Sequence, residues 1–222
     1  MGAITDGVAV PAKIVHPSVT SAGLRNAASN CILGASFFIA MIPAARALSW
    51  SLFGLANIVW LTGAAIMGIL SFVRTPARST MVNASTIGAT LGMLFIPTLM
   101  RPVDRSSGGL ALCGIALELF GIGLTQVARV YMGRSFGILP ANRGVVSKGP
   151  FSSIRHPIYF GWLVLSIGYA MSYPTMRNII LLAATVPFMV WRIEQEEMHL
   201  REDSEYCVYE RRVRFRLWPG VI

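Results

Sequence analysis

Apolar residues in this chain gather into long unbroken runs, with the polar residues pushed to their ends. The runs cover 27–45, 49–73, 83–100, 107–127, 158–173 and 177–191. About 20 apolar residues in a helix span the hydrocarbon of a bilayer, so the first four runs predict transmembrane helices. The last two are short for a full crossing, and either cross thinly or extend as helix beyond the lipid. Arg46, Arg74, Arg101 and Arg129 close the first four runs. Pro43 is expected to bend or end the first, and Pro187 to kink the sixth. Pro157 stands just before the fifth, at the first helical position that proline favours. Past 191 the sixth run continues as a polar helix to about residue 203.

The predicted fold is an all-α integral membrane protein of about six transmembrane helices, or five if one short run is re-entrant. Residues 1–26 read as a mobile tail, 27–128 as N-terminal transmembrane helices, and 129–222 as a separate polar and apolar C-terminal region. Composition agrees: of 222 residues, 54% are hydrophobic and 13% charged, and mean hydropathy is +0.60. The net charge of +9 does not imply nucleic acid, because the basic residues lie between the apolar runs. With six spans, fifteen of the nineteen Lys and Arg residues fall on one side, leaving Arg46, Arg101, Arg105 and Arg177 on the other. Basic residues favour the cytoplasm, so both termini and the loop 133–156 are expected there. The three cysteines have neither metal nor disulfide spacing.

Two features inside the runs have more than one reading. Gly88 and Gly92, and Gly121 and Gly123, allow close helix packing; the second pair would also allow a cofactor near the backbone. Glu118, inside the fourth run, is either functional or held by a hydrogen bond to a neighbouring helix.

The candidate chemistry lies in two stretches. One is Gly149-Pro150-Phe151 through Arg155-His156-Pro157-Ile158-Tyr159-Phe160-Gly161, a loop entering an apolar helix. The other is Arg192-Ile193-Glu194-Gln195-Glu196-Glu197, where the sixth run turns polar. Arg192 and Glu196 share a helix face, which on a surface would be an ordinary ion pair. Position raises the functional reading, since both stretches reach the same membrane face. His156 before a proline is as readily a helix cap as a ligand or base. The aromatic residues near it, Phe151, Tyr159 and Trp162, suit a cationic ligand, and interfacial aromatics are also a normal membrane belt.

These motifs, followed by Tyr206-x-x-Tyr209 and Pro219-Gly220, resemble the isoprenylcysteine carboxyl methyltransferase family and the wider membrane phospholipid methyltransferases. The resemblance runs from about Tyr131 to Ile222. It implies S-adenosylmethionine bound at the cytoplasmic face, with Val145, Val146, Phe151, His156, Pro157, Ile158, Tyr159 and Glu197 as cofactor-binding residues. It also implies Arg192 and Glu196 on the acceptor side, and no metal. Arg143 and Gly144 depart from the family, where histidine or threonine is common. The segment 201–205 also departs, taking the place of a Phe-Gly pair.

The acceptor this implies is a membrane lipid or a prenylated, apolar molecule entering from the bilayer. A carboxylate acceptor would be held by Arg192; an amine acceptor would need Glu196 or His156 as base. Two rivals remain. An NADPH-dependent sterol-type reductase would use the arginines after Arg211 for a 2′-phosphate. A non-enzymatic membrane protein would use the motifs only for packing.

Overall fold

The computed structural model describes residues 52–103, 106–137 and 141–218, with scattered helical positions between 30 and 45. The expected tail, and much of the first apolar run with Pro43, lie outside these residues. The remaining runs fold as helices: α1 (Leu52–Phe72), α2 (Ala84–Phe95), α3 (Gly108–Met132), α4 (Pro157–Ser172), α5 (Met176–Leu200) and α6 (Ser204–Arg212). Two short strands, β1 (Ser79–Thr80) and β2 (Ala141–Asn142), pair antiparallel with Ser79 opposite Asn142.

Local chemistry sets where these helices begin and end. Asn83 and Thr86 form a reciprocal capping box at the start of α2. That helix stops after twelve residues, because Pro97 has no N–H to continue the ladder and opens a 3-10 turn. The third run is thus shorter as a helix than 83–100 suggested. The fourth is longer, since α3 carries on five residues past Val127 to Met132. Proline at position 187 does not interrupt α5, which runs from Met176 to Leu200. Among the described residues, 108–135 and 176–200 are long and apolar enough to cross a membrane. The stretches 61–72, 84–99 and 157–172 are shorter apolar helices.

The most extensive helix contact joins α3 to α4, and α2 packs on α5. Gly114 and Gly121 of α3 face Gly168 and Gly161 of α4. A Cβ on Gly121 would lie 2.5 Å from the Gly161 carbonyl oxygen and 2.5 Å from the Leu165 nitrogen, both backbone atoms that cannot move aside. Packing is therefore the role of Gly121. Gly123 meets nothing within 4 Å, and neither glycine lines a cavity. Gly121→Ala should lower stability by about 1–3 kcal/mol through this overpacking, while Gly123→Ala should leave it unchanged. Comparing melting temperatures in detergent tests the pair.

Glu118 is 7% exposed and accepts a 2.5 Å hydrogen bond from Ser172 Oγ on α4. It lies at the helix seam and away from the cavity described below. Outward faces of the bundle carry large exposed side chains such as Ile69, Leu91, Phe95, Leu112, Phe120, Ile180 and Val190. Exposed apolar side chains of this size mark a surface that meets a membrane or another protein.

Candidate functional site

Both polar stretches converge at the end of the bundle where α3 finishes, α4 begins and α5 turns polar. Glu197 is the point of convergence. It is fully buried. Its Oε1 accepts from Arg155 Nε at 2.8 Å and lies 3.0 Å from His156 Nε2. Its Oε2 accepts from Arg216 Nη2 at 2.8 Å and Arg201 Nη2 at 3.2 Å. One carboxylate so ties the loop before α4, the end of α5 and the segment after α6. Backbone hydrogen bonds repeat the connection: Arg155 and His156 N–H donate to the carbonyls of Phe215 and Arg216 at 2.8 and 2.9 Å. Arg155 Nη1 also donates to the carbonyls of Val213 and Arg214.

His156 is the residue before the first turn of α4, but its side chain makes no capping bond. It is spent on Glu197 instead, which disposes of the cap reading. Glu210 assists from α6. It accepts from Arg201 at 2.6 and 2.9 Å, and that bond holds its carboxyl below the usual glutamate range.

In front of this network lies a cavity of about 190 Å3. Thr90, Met93 and Leu94 of α2 and Trp162 of α4 form its membrane side. Arg143, Gly144, Val145 and Val146 form its loop side. Of the residues expected from the sequence, Val145, Val146, Phe151, His156, Ile158, Tyr159, Arg192 and Glu196 all line it. Pro157 and Glu197 do not: Pro157 is fully buried at the start of α4, and Glu197 stands behind the wall, orienting Arg155 and His156.

Within the wall, the Tyr159 hydroxyl donates to Glu196 Oε2 at 2.6 Å. Arg192, 4% exposed, lies beside the same hydroxyl in the cavity wall. Tyr159, Arg192 and Glu196 thus form one polar group on the α4–α5 face. The Tyr206 hydroxyl is buried at the cavity and has no hydrogen-bond partner among the described residues. A buried phenol of this kind is completed by a ligand or a water that supplies an acceptor or donor. Tyr206 was visible in the sequence only as part of the Tyr-x-x-Tyr motif. Its neighbour Tyr209 donates to the Phe151 carbonyl at 2.7 Å, and burial pushes its phenol up to about 12.

The loop side is pinned by Asn142. Its Nδ2 donates to Asp203 Oδ2 at 2.7 Å, and its Oδ1 accepts from the Gly144 N–H at 3.0 Å. Gly144 has φ 94°, a conformation that side chains resist. This turn brings Val145 against Tyr206, Tyr209 and Val213. Arg78 Nη1 is 3.3 Å from Asp203 Oδ2, and Ser79 Oγ is 3.0 Å from His199 Nε2, so the β1 segment joins the same clasp.

Residues 105–203 match the model of the family described as phospholipid methyltransferase. The chain is also similar to enzymes named protein-S-isoprenylcysteine O-methyltransferase. The one from Xenopus laevis is 30% identical over 129 residues, covering 53% of this chain and 44% of the relative. The one from Rattus norvegicus is 30% identical over 138 residues, covering 59% and 47%. The chain spans about half the length of the curated relatives it matches.

Proposed function

We propose that this protein is a membrane methyltransferase that uses S-adenosylmethionine to methylate a lipid-like or prenyl-like acceptor, with a carboxylate as the favoured target. One observation carries the reading. A single cavity joins apolar membrane helices on one side to polar loops on the other, with Arg192, Tyr159 and Glu196 in its wall. An apolar acceptor with a polar reactive end and a water-soluble cofactor could meet there. The names of the relatives support it.

The residues present fit the cofactor. Phe151, Tyr159 and Trp162 offer aromatic surface to a cation, and the Tyr206 hydroxyl offers an unused polar group. S-adenosylmethionine supplies an activated methyl group on a positive sulfur. Everything else is alignment and exclusion of water, which the cavity can provide. Arg192 holds an acceptor carboxylate, which is already a nucleophile at neutral pH, and the Tyr159–Glu196 bond fixes that wall of the cavity. His156, engaged with Glu197, is a positioning residue in this scheme.

The distribution of basic residues supports a cytoplasmic site and cytoplasmic termini, with about six spans and the catalytic region in 129–222. The reductase reading finds little support. Of the arginines after Arg211, which were to serve a 2′-phosphate, Arg212 and Arg214 are exposed, Arg216 is engaged with Glu197, and none lines the cavity.

The test is ligand binding by the detergent-purified chain. S-adenosylmethionine should bind in the micromolar range, NADPH should not, and His156→Ala should weaken the former by about tenfold, as expected for loss of a charge-assisted bond. Preference for NADPH would sink the methyltransferase reading.

A further inference from the structure

The cations around the cavity fall into two groups. Arg155 is neutralised by Glu197 and lies 3.6 Å from Glu210. Arg192 belongs to the Tyr159–Glu196 group. Arg129 and Arg143 differ from both. Arg129, near the end of α3, has one side-chain bond, from Nη1 to the neutral Gln126 amide oxygen at 3.3 Å. Arg143, in the loop, donates from Nη1 to the Thr75 carbonyl. Neither forms a salt bridge with a carboxylate among the described residues. In each the Nε is withdrawn from solvent and meets no acceptor among the described residues. Both line the cavity. The charged side chain that bears on Arg143 is another cation, Arg74.

Two half-buried guanidinium groups, each with a buried Nε that meets no acceptor and no counter-charge among the described residues, carry a desolvation cost in a folded protein. A charge of this kind is compensated when an anion enters the space beside it. Guanidinium is also the side chain best matched to a planar carboxylate.

We infer that Arg129 and Arg143 form a carboxylate-binding subsite of the cavity, separate from the Arg192–Tyr159–Glu196 group. The inference rests on the methyltransferase reading for the source of the carboxylate. Two sources share this chemistry: the amino-acid end of the cofactor, and the free carboxyl group of the acceptor. Gly144 and Asn142 serve the subsite indirectly, because the turn they form sets Arg143 at the cavity mouth.

The experiment compares ligand pairs that differ only in a carboxylate. One pair is S-adenosylmethionine and its decarboxylated analogue; the other is an S-prenylated N-acetylcysteine and its methyl ester. Binding of each to the detergent-purified full chain is measured for wild type, Arg129→Gln, Arg143→Gln and the double variant. Each substitution should weaken the carboxylate-bearing member of one pair by about 10- to 100-fold, and leave its partner unchanged. The pair affected identifies the source. Arg129→Lys and Arg143→Lys, which keep the charge, should lose less. Melting temperatures should not fall in the Gln variants, because no ion pair is broken; a structural role would lower them.

If wild type and the double variant bind all four ligands alike, the subsite is overturned while the methyltransferase reading stands. If wild type binds neither cofactor nor acceptor, that reading fails and inorganic sulfate becomes the probe. Sulfate that raises the melting temperature of wild type but not of the double variant supports the subsite, and equal response overturns it.

Discussion

Glu197→Ala should destabilise the protein by about 3–5 kcal/mol, the usual penalty for leaving a buried charge without its partner. Arg155, with its side chain 7% exposed, would keep its charge and lose its closest carboxylate. Glu210 cannot replace it: it stands 3.6 Å from Arg155 and is already engaged with Arg201. Arg216 would lose its anchor as well, freeing residues 213–216 from one of their attachments. For a chain of this size the loss corresponds to a fall in melting temperature of the order of ten degrees. Glu197→Gln should recover little, because it keeps the shape and removes the charge. A melting temperature near that of wild type would show that backbone hydrogen bonds alone hold the site together.

The second large effect concerns the reaction. Arg192→Gln should slow methyl transfer to a carboxylate acceptor by about 10²–10³-fold, comparable to removing one preorganised donor from an active site. Single-turnover transfer of a labelled methyl group measures it. Cofactor affinity should stay close to wild type, and Arg192→Lys should restore little, since an ammonium lacks the planar fork. Glu196→Gln separates the two kinds of acceptor. A carboxylate acceptor has no proton to lose, so the effect should be modest. For an amine acceptor Glu196 would be the base, and its loss would be the more damaging of the two.

The helices were legible because long apolar runs have few alternatives to helix, and Pro157 marked a real helix start. Helix lengths were less legible. Polarity at Arg129 suggested an end, but α3 continues because that side chain turns into a cavity. The pair 149–161 and 192–197 was readable as a unit through resemblance, and the structure brings it together at Glu197. What could not be read was facing. A uniformly apolar run gives no sign that Thr90, Met93 and Leu94 of α2 reach the cavity. Nor does the sequence show that Glu197 stands behind the wall while Glu196 stands in it. These depend on how α2, α4 and α5 are rotated against one another, and the glycine contacts fix that rotation only in three dimensions.

The hydrogen bonds from Arg155 and His156 to Phe215 and Arg216 also impose an order on biosynthesis. The two partners lie about sixty residues apart, and the strap at 213–216 is translated after every helix described here. Every one of these helices is therefore made before the wall of the cavity can close. A nascent chain paused between α5 and the strap would hold the loop before α4 without its backbone partners, and the cavity would be unfinished. The last wall of the cavity is set only when the strap docks.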